Sequence, residues 1–169
     1  MFKAEKGFYC VGVSKDEQYV VAGGGDYKVY FRDTRKVKKV EDDDKTNAGK
    51  EKEGEGEDDK AKVDGDVKRL KVEKGYSVCS LVFGKEKGDN GGGGNVVYVS
   101  TSSGKVCEID LTSGEVTRTF KGHTREIYGI TLSPDGKTLI IGMYESTARV
   151  WGLTADAAEG GEVRVKVIK

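Results

Sequence analysis

The chain has 169 residues, 36% of them hydrophobic, and a mean hydropathy of -0.57, which suits one sizeable core in a water-facing protein. No apolar run approaches the roughly 20 residues of a spanning helix, and the start, MFKAEKGFYCVGVS, carries neither the apolar core of a secretion signal nor the Arg-rich, acid-poor character of a transit peptide. An intracellular protein, cytoplasmic or nuclear and without membrane contact, is therefore expected.

In chain order, the first recognisable unit is YCVGVSKDEQYVVAG at residues 9–23, which aligns without a gap on YGITLSPDGKTLIIG at residues 128–142. Tyr9 meets Tyr128, Ser14 meets Ser133, Asp16 meets Asp135 and Gly23 meets Gly142. The apolar positions agree too: Val11 with Ile130, Val13 with Leu132, Val20 with Leu139, Val21 with Ile140. The same register carries Asp26 onto Glu145. Two copies of one unit are present.

The neutral total of 29 basic and 29 acidic residues conceals a division along the chain. Residues 41–66 hold 12 acidic side chains against five Lys, a net of -7, so the remainder carries 24 basic and 17 acidic residues, a net of +7. A tract so charged and so poor in apolar groups cannot offset the entropy of ordering it, and a disordered acidic insertion over 41–66 is expected. It lacks the spaced Asp/Asn, Gly and Glu of a calcium-binding loop. Its charge suits contact with a basic partner or with the basic body itself.

A third, less regular copy runs from 75 to 116, with strands up to Phe83, at Val96 to Ser100 and at Lys105 to Asp110. Placing Phe83 opposite Val13 and Leu132 gives spacings of 70 and 49 residues. Without roughly 26 and 8 residues for the acidic tract and the loop GDNGGGGN, both fall near 40 to 45. That loop lacks the Gly-Lys-Ser/Thr ending and following helix of a phosphate cradle, and reads as a flexible hairpin.

The residue pattern within the copies is that of strands. YGITL and KVCEID alternate with the two-residue period of a sheet with one buried face. VVYVS and TLIIG are nearly continuous apolar runs, as in central strands packed on both sides. Ser133-Pro134-Asp135-Gly136 is a hairpin turn, Pro fixing φ and Gly allowing positive φ. Outer strands are predicted within 67–75, 116–123 and 162–169, rich in Lys and Arg as edge strands are. With one Pro, 25 Gly and no long helical pattern, the chain is all-β. Cys10, Cys79 and Cys107 are unevenly spaced in apolar runs, which points to buried thiols and to neither a disulfide framework nor a zinc site.

The stretch KGHTREIYGITLSPDGKTLIIGMYESTARVWG at 121–152 resembles one blade of a WD-repeat (WD40-like) β-propeller. Gly122-His123 matches the Gly-His that opens such repeats, and Trp151-Gly152 keeps the Trp of the closing Trp-Asp while losing the Asp. Ile109-Asp110 in the middle copy and Phe31-Arg32-Asp33 in the first keep only the Asp. The resemblance spans about residues 7–169 and is strongest in the last copy. It implies about three four-stranded antiparallel propeller blades, at about 7–40 plus 67–74, 75–121 and 122–169. In the family a His, a strand hydroxyl, an Asp and the Trp form a hydrogen-bonded structural tetrad. His123, Trp151 and Glu145 take three of these places, while the hydroxyl position falls on Met143.

Closed propellers have roughly four to eight blades, so three blades leave two open faces. The propeller is incomplete unless other segments or chains complete it. The last strand pattern, Val165 to Lys169, runs to the end of the sequence, and completion by other protein segments is the favoured reading, ahead of pairing with a second copy.

The resemblance further implies a non-catalytic platform for protein–protein interaction within a multiprotein assembly, with partners on the loops that precede the first strand and join the second to the third. Arg125, Tyr144, Glu126 and Tyr27 are the candidate contacts, Arg and Tyr being enriched at binding hot spots. No cofactor, metal ligand set or catalytic group is expected: the single His has no nucleophile motif or second His beside it. An RNA-associated scaffold is suggested by the basic body but by no clustered basic and stacking motif. A propeller enzyme would need a convergent acid, base and metal set.

Overall fold

The computed structural model describes residues 2, 4–36, 62–64, 67–84, 96–123, 125–144, 148–153 and 166–168. Its strands are β1 (Phe8–Val13), β2 (Tyr19–Gly24), β3 (Lys28–Asp33), β4 (Lys62–Asp64), β5 (Val67–Lys71), β6 (Val78–Phe83), β7 (Val96–Thr101), β8 (Val106–Asp110), β9 (Glu115–Phe120), β10 (Ile127–Leu132), β11 (Thr138–Met143), β12 (Ala148–Gly152) and β13 (Lys166–Ile168). They build three antiparallel sheets in the orders β1-β2-β3-β5-β4, β6-β7-β8-β9 and β10-β11-β12-β13. Among the described residues the only helical turn is a short 3-10 segment at Thr34–Lys36.

The three copies thus become three sheets, each a meander of four strands. The sheets do not close on themselves: β6 packs against both β1 and β10, so the middle sheet lies between the other two. This is the incomplete propeller expected from the sequence. The first sheet gains a fifth strand from the end of the acidic tract, β4, which pairs with β5 from Asp64↔Val67 to Lys62↔Arg69. The rest of that tract lies outside the described residues, as does the Gly-rich loop.

The β1–β2 and β10–β11 hairpins turn in the same way. Ser14 Oγ accepts from Tyr19 N at 2.9 Å while Asp16 Oδ1 accepts from Gln18 N at 3.0 Å. Ser133 and Asp135 repeat these bonds to Thr138 N and Lys137 N at 3.0 Å each. The left-handed turn residue is Gly136 (φ 71°) in the last sheet and Glu17 (φ 58°) in the first. A side chain is tolerated at Glu17 because the Ser and Asp acceptors hold the turn from both sides.

Two apolar seams hold the sheets together. The first joins Tyr19, Val21, Val29, Phe31 and Leu70 of the first sheet to Val78, Val97, Val99, Cys107 and Ile109 of the middle one. The second joins Tyr98, Val106 and Phe120 to Ile127, Ile130, Leu139, Ile141 and Met143, with Trp151 packed against them. In β7 the alternation is visible residue by residue, since Val97 and Val99 enter the first seam while Val96 and Tyr98 enter the second. This is why VVYVS is apolar throughout.

One expectation about alternation is altered. Each inner strand carries a bulge at the same place, between Phe8 and Cys10, Val78 and Ser80, and Ile127 and Gly129. The extra residues are Tyr9, Cys79 and Tyr128, and the parity of the strand changes across them. Ile127 and Ile130 therefore share the buried side, and Tyr128 is left 58% exposed.

Candidate functional site

The turns β2–β3, β7–β8 and β11–β12 and the connections entering β6 and β10 form one end of the sheet array. A chain of contacts crosses it. Tyr27 O accepts from Val72 N at 3.2 Å, where the first sheet leads toward the middle one. Glu73 then reaches the β7–β8 turn, its Oε2 accepting from Thr101 Oγ1 at 3.3 Å and from the Ser103 hydroxyl, while its Oε1 lies 2.6 Å from Lys105 Nζ. Burial would raise the Glu73 carboxyl, but Lys105 and the two hydroxyls hold it below its ordinary value.

Gly104, in the same turn, has φ 89°. A Cβ there would come within 2.8 Å of the carbonyl oxygens of His123 and Arg125. Only glycine lets the middle sheet's turn press this closely on the connection into the last sheet. That connection is tied on its other side by Tyr144 N donating to Glu126 O at 3.1 Å.

His123 is buried, with its ring 5.4 Å from the Trp151 ring and its Nδ1 3.1 Å from Met143 Sδ. Sulfur stands where the resemblance implies a strand hydroxyl. Trp151 in turn meets Phe120 of the middle sheet edge-on at 5.7 Å. Removal from water, then the nearby Arg149 guanidinium, lower the His123 imidazole to about 4, so it is neutral near pH 7. Glu145, the remaining predicted member of this group, lies outside the described residues. In the first sheet its counterpart Asp26 is buried and accepts the Tyr30 hydroxyl.

The predicted contact residues fall in two places. Arg125, Glu126 and Tyr144 come together at the last sheet, all exposed. Tyr27 sits at the first sheet, half-buried with φ 70°, and its hydroxyl accepts from Lys6 Nζ at 3.3 Å while the ammonium lies 5.1 Å from its ring. A residue not foreseen joins the first group. Tyr128 and Tyr144, 58% and 63% exposed, form an edge-to-face pair with centroids 5.8 Å apart. In the sequence Tyr128 reads as the first inward residue of YGITL, and only the bulge turns it out. The Glu73 group was also hidden, because its members are 28 to 32 residues apart and the middle copy lacks the Gly-His signal.

Among the described residues no group of three His, Cys, Asp or Glu could hold a metal ion, and no helix is long and apolar enough to cross a membrane. Cys10, Cys79 and Cys107 are free thiols, and burial pushes Cys10 up to about 11, so this thiol is a poor nucleophile.

Sheets of this kind, packed side by side without closure, define the class: an open array of propeller blades. The sequence model of the family described as WD40: WD domain, G-beta repeat matches residues 114–152. That stretch is similar to a WD repeat, and the three antiparallel sheets are consistent with a WD-repeat family. The match runs from β9, the outer strand of the middle sheet, through β10, β11 and β12 of the last, so the repeat and the sheet are offset by one strand. A comparison with curated proteins returns no match. WD40 repeats generally serve protein–protein interaction and are typically non-catalytic.

Proposed function

We propose that this chain is a non-catalytic scaffold that binds other proteins through the turn-bearing end of its sheets, with Tyr144, Tyr128, Arg125 and Glu126 as the central contacts and Tyr27 at the far edge. The observation that carries this reading is the exposed Tyr128–Tyr144 pair on an anchored backbone. Two aromatic rings held edge to face in solvent offer large apolar area with little entropy to lose on binding, which is the character of a hot spot. The bulge at Tyr128 and the Tyr144 N to Glu126 O bond fix the pair before any partner arrives.

The test compares proteins captured from a cell extract by the wild-type chain and by a Tyr128→Ala/Tyr144→Ala variant with an unchanged far-ultraviolet circular dichroism spectrum. Selective loss of a captured protein, followed by at least about tenfold weaker binding of that purified protein, is expected. Equal capture and equal affinity would overturn the assignment.

A further inference from the structure

We infer that the Tyr128–Tyr144 pair and Glu126 form a seat for an arginine side chain of a partner protein, the guanidinium lying on the rings and pairing with the carboxylate. The inference rests on the role proposed for the turns and names the chemistry of the group they hold.

The first sheet supplies a precedent within the chain. Phe8 pairs with Gly24 as Ile127 pairs with Met143, so Tyr9 corresponds to Tyr128, Gly25 to Tyr144, Lys6 to Arg125 and Gly7 to Glu126. A cation already sits on an aromatic ring there. Lys6 Nζ lies 5.1 Å from the Tyr27 ring centroid and donates to its hydroxyl at 3.3 Å. The Tyr9 hydroxyl and Lys6 Cβ come within 3.0 and 3.2 Å of a Cβ built on Gly25, so the two tyrosines and the ammonium stem meet over one glycine.

Two differences change what the last sheet can hold. Tyr144 puts a ring where the first sheet has Gly25, and Glu126 puts a carboxylate where it has Gly7. The Tyr128 and Tyr144 rings stand at 67° to each other with centroids 5.8 Å apart, an edge-to-face corner. The Tyr128 hydroxyl is held above its ordinary value by lost water, then by the Glu126 carboxylate and by Tyr144. The Cys79 thiol, raised first by burial, feels the same carboxylate. Both effects place Glu126 beside the rings. The negative ring faces and the carboxylate attract positive charge together. Arg125, one residue earlier and also exposed, makes the patch bipolar, and the incoming cation belongs on its Glu126 side.

Exposure selects among cations. An ammonium keeps its tight hydration at such a surface unless, like Lys6, it is tethered by its own chain. A guanidinium is weakly hydrated, stacks flat on an aromatic face and offers two parallel N–H donors to one carboxylate. Arginine therefore uses both the ring corner and Glu126.

The test measures retention of the full chain on three immobilised octapeptide pools, each randomised except for a central arginine, lysine or citrulline, the last being the neutral isostere of arginine. The wild type should be retained at least about threefold better by the arginine pool than by either other pool. Tyr128→Phe/Tyr144→Phe should keep that preference, while Tyr128→Leu/Tyr144→Leu, which preserves apolar area without the ring faces, and Glu126→Gln should each reduce it. Equal retention on the arginine and citrulline pools, a preference for lysine, or a preference indifferent to both the Leu pair and Glu126→Gln would overturn the arginine seat. If the pools are equal while the Tyr→Ala pair still loses a captured protein, the arginine seat falls and the platform role of the turns stands.

Discussion

In the connection entering the last sheet, a neutral imidazole, His123, rests on Trp151 and Met143; in the connection entering the middle sheet, the same place is held by the charged Glu73 with Thr101, Ser103 and Lys105. Thr101 and Met143 are structurally equivalent, each pairing with the first residue of its sheet's inner strand. The fold therefore needs a fastener at this position and accepts two chemistries for it. One gains from apolar contact and excludes charge. The other keeps a carboxylate in place with an ammonium and two hydroxyls.

The largest effect should come from breaking the first fastener at its aromatic end. Trp151→Ala removes contacts with both His123 and Phe120 and should cost about 3 to 4 kcal/mol, read from urea unfolding. Acid separates the two fasteners next. The folded His123 titrates near 4 against an ordinary 6.5, so its contribution is present above 6.5 and is lost as pH falls toward 4, by about 3 kcal/mol at most. Stability measured by urea between pH 7 and 4.5 should fall in the wild type and stay nearly level in H123Q, even if that variant begins lower.

Glu73 behaves in the same direction but in a lower window. Its folded value is depressed, so its stabilisation holds above the ordinary carboxyl range near 4.5 and disappears below it. Glu73→Gln should cost about 1 to 2 kcal/mol at pH 7 and nothing near pH 2, by the same titration in urea. The smallest change is expected from Lys105→Ala, below about 1 kcal/mol, because its ammonium remains partly in solvent. Added salt should narrow that last difference while leaving the Trp151→Ala effect in place.

The same contrast explains what was legible in the sequence. The first and last copies could be aligned because Ser14 with Asp16 and Ser133 with Asp135 make a turn through neighbours in the chain, and local bonds leave local patterns. His123 and Trp151 were legible through a family resemblance in one copy. Glu73 was not, since its partners lie across a strand and a long loop and its residue types are common on any surface. Tyr128 reads as inward in the sequence for another reason: a bulge reverses the parity of a strand, and no residue at 127–129 announces it. In the sequence the fifth strand, β4, falls within the acidic tract because Lys62-Val63-Asp64 shares its composition; only pairing with β5 sets it apart.

The one-strand offset between repeat and sheet bears on how such an array can lengthen. Copying residues 114–152 as a block would copy β9 through β12, an outer strand together with the three inner strands that follow it. Inserted after β12, the duplicated outer strand would take the fourth place in the sheet already present, and β13 would complete the new inner strands. Genetic growth by this unit adds a sheet and the junction that secures it in a single event, so an intermediate with an unsecured blade never has to be inherited.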